Sequence, residues 1–512
     1  MANKTIYKWT GIVTVLLIIS RLTGMLRETA IAFQFGMSAE ADAYLTASLL
    51  PQILFLAFSD AVKTAFIPVY SQYHKEKNGN SLVLTLYIII GIFLLAISLL
   101  LVVLAPFVVK LVAPGFSGKT YELTVILSRI ILPGLLFLGL SGLSSGILHT
   151  KKNFLVPALP AYPSNFIIAG FAVCLGAQFG VKGLAWATLA AYASQFLIQL
   201  PAVLKSGVLK ESKLFWRHPG LKKMLVIMPP VIIGGAAMEL KSIVDRIFAS
   251  LLPEGTIAAL NYANRIFQMP NSVLVVALLA VLFPTLVELA LEKNTDAFKQ
   301  ALRQGLSIII FFVLPMMVGI ILLREPLVRL LFERGAFDAT ATKITAEALA
   351  FYSLGLLFMG GQLLLTRTLY ALHDTLSPML VTLGSVVVNV IFNALLIGPL
   401  KHSGLALGTS LALFCQLAVL WWLVRKKIGP FGGRALLVSL LKAGVAAAGM
   451  GVLILLVRPL VAADSLLKLA VKFTLTVGGG ALFYFLAAYF LKIEELAQGL
   501  ELLRRLKAGR KR

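Results

Sequence analysis

Apolar runs of spanning length recur along the whole chain. A helix crossing a bilayer needs about 20 mostly apolar residues. Fourteen runs meet this, near 8–33, 43–70, 81–111, 122–148, 155–178, 183–205, 222–250, 256–288, 301–323, 343–371, 379–398, 403–424, 435–457 and 466–491. Of the 512 residues 59% are hydrophobic and only 13% charged, which leaves too little polar surface to clothe a soluble domain. The runs are continuous rather than alternating, which argues against a membrane barrel. The expected fold is an all-α polytopic membrane protein with about fourteen transmembrane helices.

Lysine and arginine set the orientation. Lys4, Lys75, Lys77, Lys151, Lys152, the 205–223 segment, Lys293, Lys299, Arg303, Arg425, Lys426, Lys427 and the 504–512 tail all fall on one side. The opposite loops are sparse in positive charge, except 324–343 with Arg324, Arg329, Arg334 and Lys343. Both termini are therefore expected in the cytoplasm. The net charge of +24 reads as loop charge facing anionic lipid headgroups, not as a nucleic-acid surface. The first apolar run ends at Ser20-Arg21 without a small-residue cleavage site, so no cleavable signal peptide is expected. Cys174 and Cys415 lie in apolar runs, and the five histidines form no zinc motif. There is no Walker-type phosphate loop and no hydrolase constellation. The chain reads as a transporter and not an enzyme, with no cofactor; a sodium gradient, the membrane potential or the substrate gradient would drive it.

The sequence repeats weakly. Ala105–Phe116 echoes Glu325–Phe337, Gly183–Thr188 echoes Gly404–Thr409, and Tyr44 and Pro51 echo Tyr262 and Pro270. The offsets stay near 218 to 221, so one repeat is six spans plus a loop. An even number of spans makes the halves parallel in topology, pseudo-symmetric about the membrane normal. The expected organisation is a six-helix lobe over 1–208, a basic cytoplasmic linker over 209–221, and a second six-helix lobe over 222–428. Two extra helices and a basic tail fill 429–512. Two such lobes suit alternating access around a shared site; duplication that built only a scaffold is the plainer reading.

Charge inside a span costs free energy and faces a cavity or a partner. The first span carries Ser20-Arg21-Leu22-Thr23-Gly24-Met25-Leu26-Arg27-Glu28. At about 100° per residue, Arg21 and Arg27 stand about 120° apart and about 9 Å along the axis. Gly24 between them permits a bend or close backbone contact, either of which would turn both inward. Two guanidiniums at one cavity match a phosphate or pyrophosphate, and snorkelling to headgroups is the alternative. Asp42 reads equally as an N-cap of the second span and as a gating or pairing group. Lys63 is deeper in the same span. Arg265 follows Asn264 early in the eighth span and is a third candidate cavity cation. Asn389 and Asn393 share a helix face, and with Thr409 and Asp245 they make a weak candidate sodium site.

These motifs resemble the MurJ (MviN) family of lipid II flippases, within the multidrug/oligosaccharidyl-lipid/polysaccharide exporter superfamily. The resemblance spans the chain and is carried by Ser20–Glu28, Ala41–Pro51, Asn261–Pro270, Phe332–Phe337 and Gly398–Leu405. It implies a bacterial cytoplasmic-membrane protein of peptidoglycan biosynthesis and cell-shape maintenance. Its cargo would be lipid II, the undecaprenyl-pyrophosphate-linked disaccharide-pentapeptide, moved from the inner to the outer leaflet. It implies substrate-binding roles for Arg21, Arg27 and Arg265, a gating role for Asp42, and a lipid-tail groove formed by the last two helices. Ser20, Gly24, Lys63 and Asn264 are supporting candidates. Anionic lipids and the peptidoglycan synthesis machinery are the expected partners. The chain departs from the family at Phe55, where many members carry a basic residue that Lys63 is placed to replace. It departs again at Asn264, where many carry an acid. The resemblance also suggests the sodium set, although Asn393 stands where one relative has an acid. Rival readings are a flippase for another polyprenyl-linked glycan, a multidrug/cation antiporter, and a non-transporting cell-wall scaffold.

Overall fold

The computed structural model describes residues 2–74, 79–210, 213–461 and 465–497, and among them the regular structure is helical. The helices are α1 (Ala2–Phe35), α2 (Ala39–His74), α3 (Gly79–Val103), α4 (Ala105–Val112), α5 (Gly118–Ile131), α6 (Gly134–Thr150), α7 (Ala161–Cys174), α8 (Gly176–Leu197), α9 (Leu200–Lys205) and α10 (Pro219–Ser250). They continue as α11 (Thr256–Pro270), α12 (Val276–Leu291), α13 (Thr295–Leu322), α14 (Arg324–Phe332), α15 (Ala339–Ser353), α16 (Leu356–Ala371), α17 (Leu376–Ile428), α18 (Gly433–Val461) and α19 (Leu466–Phe490).

Eight helical stretches are long and apolar enough to cross a membrane, and two bent pairs bring the number to ten among the described residues. The 53-residue α17 is longer than one bilayer crossing, and its backbone leaves the helical region at Lys401 (φ 49). Dividing it there, and adding the long but charge-bearing α1, α2 and α10, is consistent with the fourteen spans expected.

The duplication is also written in the backbone. Gly180 (φ 59) and Lys401 (φ 49) stand 221 residues apart, and each breaks a helix. Lys152 (φ 57) and His373 (φ 61), again 221 apart, follow the ends of α6 and α16. The α5–α6 pair bends by 41° and the α15–α16 pair by 44° at matching places. The short helices α4 and α14 carry the echoing Pro106 and Pro326 near their starts, where proline costs no hydrogen bond.

Packing divides the chain into two compact units: Met1–Ala258 with Arg334–Asp338, and Ala259–Glu333 with Ala339–Arg512. The seventh span, α10, opens the second sequence repeat but packs along α2 in the first unit. Lipid removes most of the hydrophobic drive between helices, so close packing has to hold them. In the first unit, Phe58, Phe66 and Tyr70 of α2, Leu82 and Leu86 of α3, and Leu143 and Ile147 of α6 form one core. Glycines bring α6 onto α2: a β-carbon at Gly142 would lie 2.8 Å from Ser59 Oγ. In the second unit, Phe311, Ala446, Met450 and Tyr484 join α13, α18 and α19. Tyr484 anchors this seam by donating to the Phe311 carbonyl at 2.7 Å.

Two loops dock by their glycines. Gly115, after α4, lies where any side chain would strike the Ser250 carbonyl at the end of α10, and its amide donates to Ser250 Oγ at 3.1 Å. Gly335 (φ 63), 220 residues later, lies against the Phe33 carbonyl near the end of α1, and Ala336 donates to that oxygen at 2.8 Å. Thus the loop of each repeat rests on the first helix of the other repeat.

Candidate functional site

The first helix carries the charges. α1 is helical throughout, Gly24 included. A β-carbon on Gly24 would sit 3.8 Å from Asn165 Nδ2 of α7, an ordinary van der Waals distance. Arg21 is exposed and Arg27 is half-buried on a different face, as the helical spacing requires. Arg27 keeps 20% exposure. Its Nη2 donates to Glu28 Oε1 at 2.7 Å, and its Nη1 to Asn165 Oδ1 at 3.2 Å. Glu28 is 2% exposed and therefore needs this partner, because an unpaired carboxylate there would carry a large desolvation cost. Ser20 contributes its carbonyl, which accepts from Thr23 Oγ1 at 3.0 Å.

More polar groups of the same unit line up beyond Arg27. The Tyr44 and Thr188 hydroxyls are 2.8 Å apart, and Gln52 Nε2 donates to the Tyr192 hydroxyl at 3.2 Å. The sequence reading missed Asn165, Tyr192 and Gln52. A lone amide or phenol in a span was the available signal, but helical spacing alone does not say which neighbour it meets.

Asp42 does not cap its own helix. Ser38 does that, accepting from Ala41 N at 3.2 Å. The Asp42 carboxylate, 2% exposed, instead accepts from Gly255 N and Ala258 N, both at 2.7 Å. It therefore satisfies the open first turn of α11, where the helix dipole favours an anion. Arg246 is the cation within electrostatic reach. Lys63 lies in α2, but its side chain is outside the described residues. Phe55 packs half-buried against the first unit's apolar core.

In the second unit Arg265 is half-buried in α11, and Asn264 Oδ1 accepts from Gln268 Nε2 at 3.1 Å. Asn389, Asn393 and Thr409 are all buried, and Asn393 Nδ2 donates to Asn389 Oδ1 at 3.2 Å. Thr409 Oγ1 and Asn389 Nδ2 lack hydrogen-bond partners among the described residues. Asp245 belongs to the first unit, so these neutral groups have no carboxylate of that set within their own unit. Among the described residues no group of three or more His, Cys, Asp or Glu could hold a metal. Asn and Thr side chains offer neutral oxygens of the type hard cations take, and no step is assigned to a sodium ion.

The second unit also holds an apolar groove of about 380 Å³ among α11, α13, α14, α18 and α19. Its walls include Pro270, Met316, Met450, Phe473, Ala481 and Tyr484, and Gly319 leaves part of it open. That volume is in the usual range for a small-ligand cavity.

Duplicated bundles of long apolar helices, an oriented guanidinium inside one unit and an apolar groove in the other define a multi-pass membrane transporter. The family described as "Lipid II flippase MurJ" matches residues 31–473. The lipid II flippase MurJ of Burkholderia cenocepacia is 30% identical over 449 residues, covering 85% of this chain and 87% of that protein. A probable lipid II flippase MurJ of Synechocystis is 29% identical over 453 residues, covering 85% of each. Among solved structures, "Lipid II flippase MurJ, inward closed conformation" superposes with a TM-score of 0.80 at 26% identity, covering 94% of this chain and 99% of that one. An inward-facing multidrug resistance MATE transporter of the MOP superfamily shares the fold, with a TM-score of 0.69 at 15% identity over 80% of this chain and 98% of that one. The chain belongs to the MurJ family of lipid II flippases.

Proposed function

We propose that the chain carries lipid II from the cytoplasmic to the outer leaflet of the bacterial cytoplasmic membrane by alternating access. The observation that carries this reading is Arg27: a guanidinium inside a span, oriented from two sides and still partly exposed. An Arg fork is suited to a diphosphate, because planar donors meet phosphate oxygens in pairs. Arg21 and Arg265 add to the positive field that draws the headgroup in. Asp42, bound to the α11 first turn, serves as the gating group. The apolar groove receives the polyprenyl tail. No covalent bond changes, so the protein works as a transporter.

Both termini face the cytoplasm in this reading, supported by the lysine and arginine bias of the loops. That basic face meets anionic lipids and hands substrate on to the peptidoglycan machinery. The membrane potential is the simplest drive. The sodium set of Asp245, Asn389, Asn393 and Thr409 remains a separate proposal, to be tested by the sodium dependence of flipping. The six-helix lobes of 1–208 and 222–428 are proposed as the rocking bodies, with 209–221 as their linker. Phe55 favours one second reading, a flippase for another polyprenyl-linked glycan.

The test is complementation after depletion of the native lipid II flippase, paired with a leaflet-accessibility assay. The parent is compared with Arg21→Ala, Arg27→Ala and Arg265→Ala at matched membrane abundance. Rescue by the parent alone supports the reading. No rescue by a well-expressed parent moves it to another glycan, and rescue by all variants refutes the arginine mechanism.

A further inference from the structure

Asn165 supplies one of the two holds on Arg27. It is buried on α7 and reaches across to two residues of α1. Its orientation follows from donor counting. Thr23 has one hydroxyl hydrogen, committed to the Ser20 carbonyl. Toward Asn165 it can therefore only accept, and Asn165 Nδ2 donates to Thr23 Oγ1 at 3.0 Å. This turns Asn165 Oδ1 toward Arg27 Nη1, which can only donate. The reversed amide would set a carbonyl oxygen against the Thr23 acceptor and an amine against the guanidinium.

The two terminal nitrogens of Arg27 are thus held by different helices. Glu28 takes Nη2 from within α1, and Asn165 takes Nη1 from α7. A planar group fixed at both ends cannot turn about its own stem. Asn165 also adds no charge. A carboxylate there would set an oxygen against the Thr23 acceptor and add a second negative charge beside a guanidinium already paired with Glu28.

We infer that Asn165 is the positioning residue for Arg27 and sets the guanidinium plane that receives the diphosphate of the transported lipid. The inference rests on the flippase reading and deepens it. Pre-orienting the fork spares the bound state the ordering of a long side chain, so the effect falls on affinity.

The experiment titrates lipid II, and separately undecaprenyl pyrophosphate, onto the full-length protein in nanodiscs, and measures flipping in vesicles. Asn165→Ala is expected to weaken binding of both lipids about tenfold, the scale of one lost hydrogen bond to a charged group, with a smaller change in maximal flipping rate. Asn165→Asp is expected to weaken it also, through charge. In an Arg27→Ala background, Asn165→Ala should cost nothing further. A structural role alone would leave its cost undiminished there, and that result overturns the inference. If Asn165→Ala fails to fold, Thr23→Val decides: it frees the amide to turn, and unchanged affinity for both lipids refutes the proposal. A wild type that binds neither lipid sinks both the flippase reading and this one. A wild type that binds both, with Asn165→Ala equal to it, sinks this one alone.

Discussion

Removing the Asp42 carboxylate should destabilise the protein, and the structure sets the scale. The side chain is 2% exposed and accepts from the amides of Gly255 and Ala258 at 2.7 Å. Asp42→Ala leaves both N–H groups buried and unmet, at about 1–3 kcal/mol each. It also removes an anion from a helix N-terminus, worth about 0.3–2 kcal/mol. Discounting for relaxation, we expect a loss of about 3–5 kcal/mol, a large share of a typical stability of 5–15 kcal/mol. Asp42→Asn keeps one acceptor oxygen and loses the charge, so about 2 kcal/mol is expected. Arg246→Gln leaves both amides bonded and should cost less than either. Equilibrium unfolding in mixed micelles gives the three values. Amide exchange at Gly255 and Ala258 should accelerate in the alanine variant. If Asp42→Ala and Asp42→Asn both fall within about 0.5 kcal/mol of the parent, the cap reasoning is wrong.

A second expectation concerns acid. Burial opposes ionisation of Asp374, yet Lys427 Nζ at 2.9 Å and the Ser377 amide at 2.9 Å hold its carboxyl down at about 2. Its folded value lies below the ordinary one of about 4, so its contribution is present above pH 4 and lost as pH falls from about 4 toward 2. Melting temperature measured across that window should fall in the parent, and Lys427→Met should flatten the fall. A third concerns the groove. Ala481→Trp fills part of the 380 Å³ space and should weaken lipid II binding while barely touching a soluble, tail-free headgroup analogue. Equal affinity for lipid II in the two proteins would remove the groove from the tail's path.

Much of the fold is legible in the residues because lipid allows few solutions. Long apolar runs must become helices, and the repeat shows in Ala105–Phe116 and Glu325–Phe337 before any coordinate is known. The structure then places breaks at Gly180 and Lys401, just before the echoing Gly183 and Gly404. Contacts between distant segments are less legible. Asn165 meets Arg27 across 138 residues, and Asp42 meets Ala258 across 216, and no periodicity encodes either meeting. α10 shows the same limit, since ancestry by duplication does not say which helix it packs against.

Gly115 and Gly335 have a consequence for inheritance. Each sits where any added carbon would strike a carbonyl of the docked helix. Every amino-acid replacement at these codons adds at least one carbon, so both positions have no tolerated neighbour in the genetic code. Surface substitutions away from such contacts usually change stability by less than about 0.5 kcal/mol. At these two loops the chain is confined to a single letter, and a survival screen of all substitutions should show two columns with one allowed entry each.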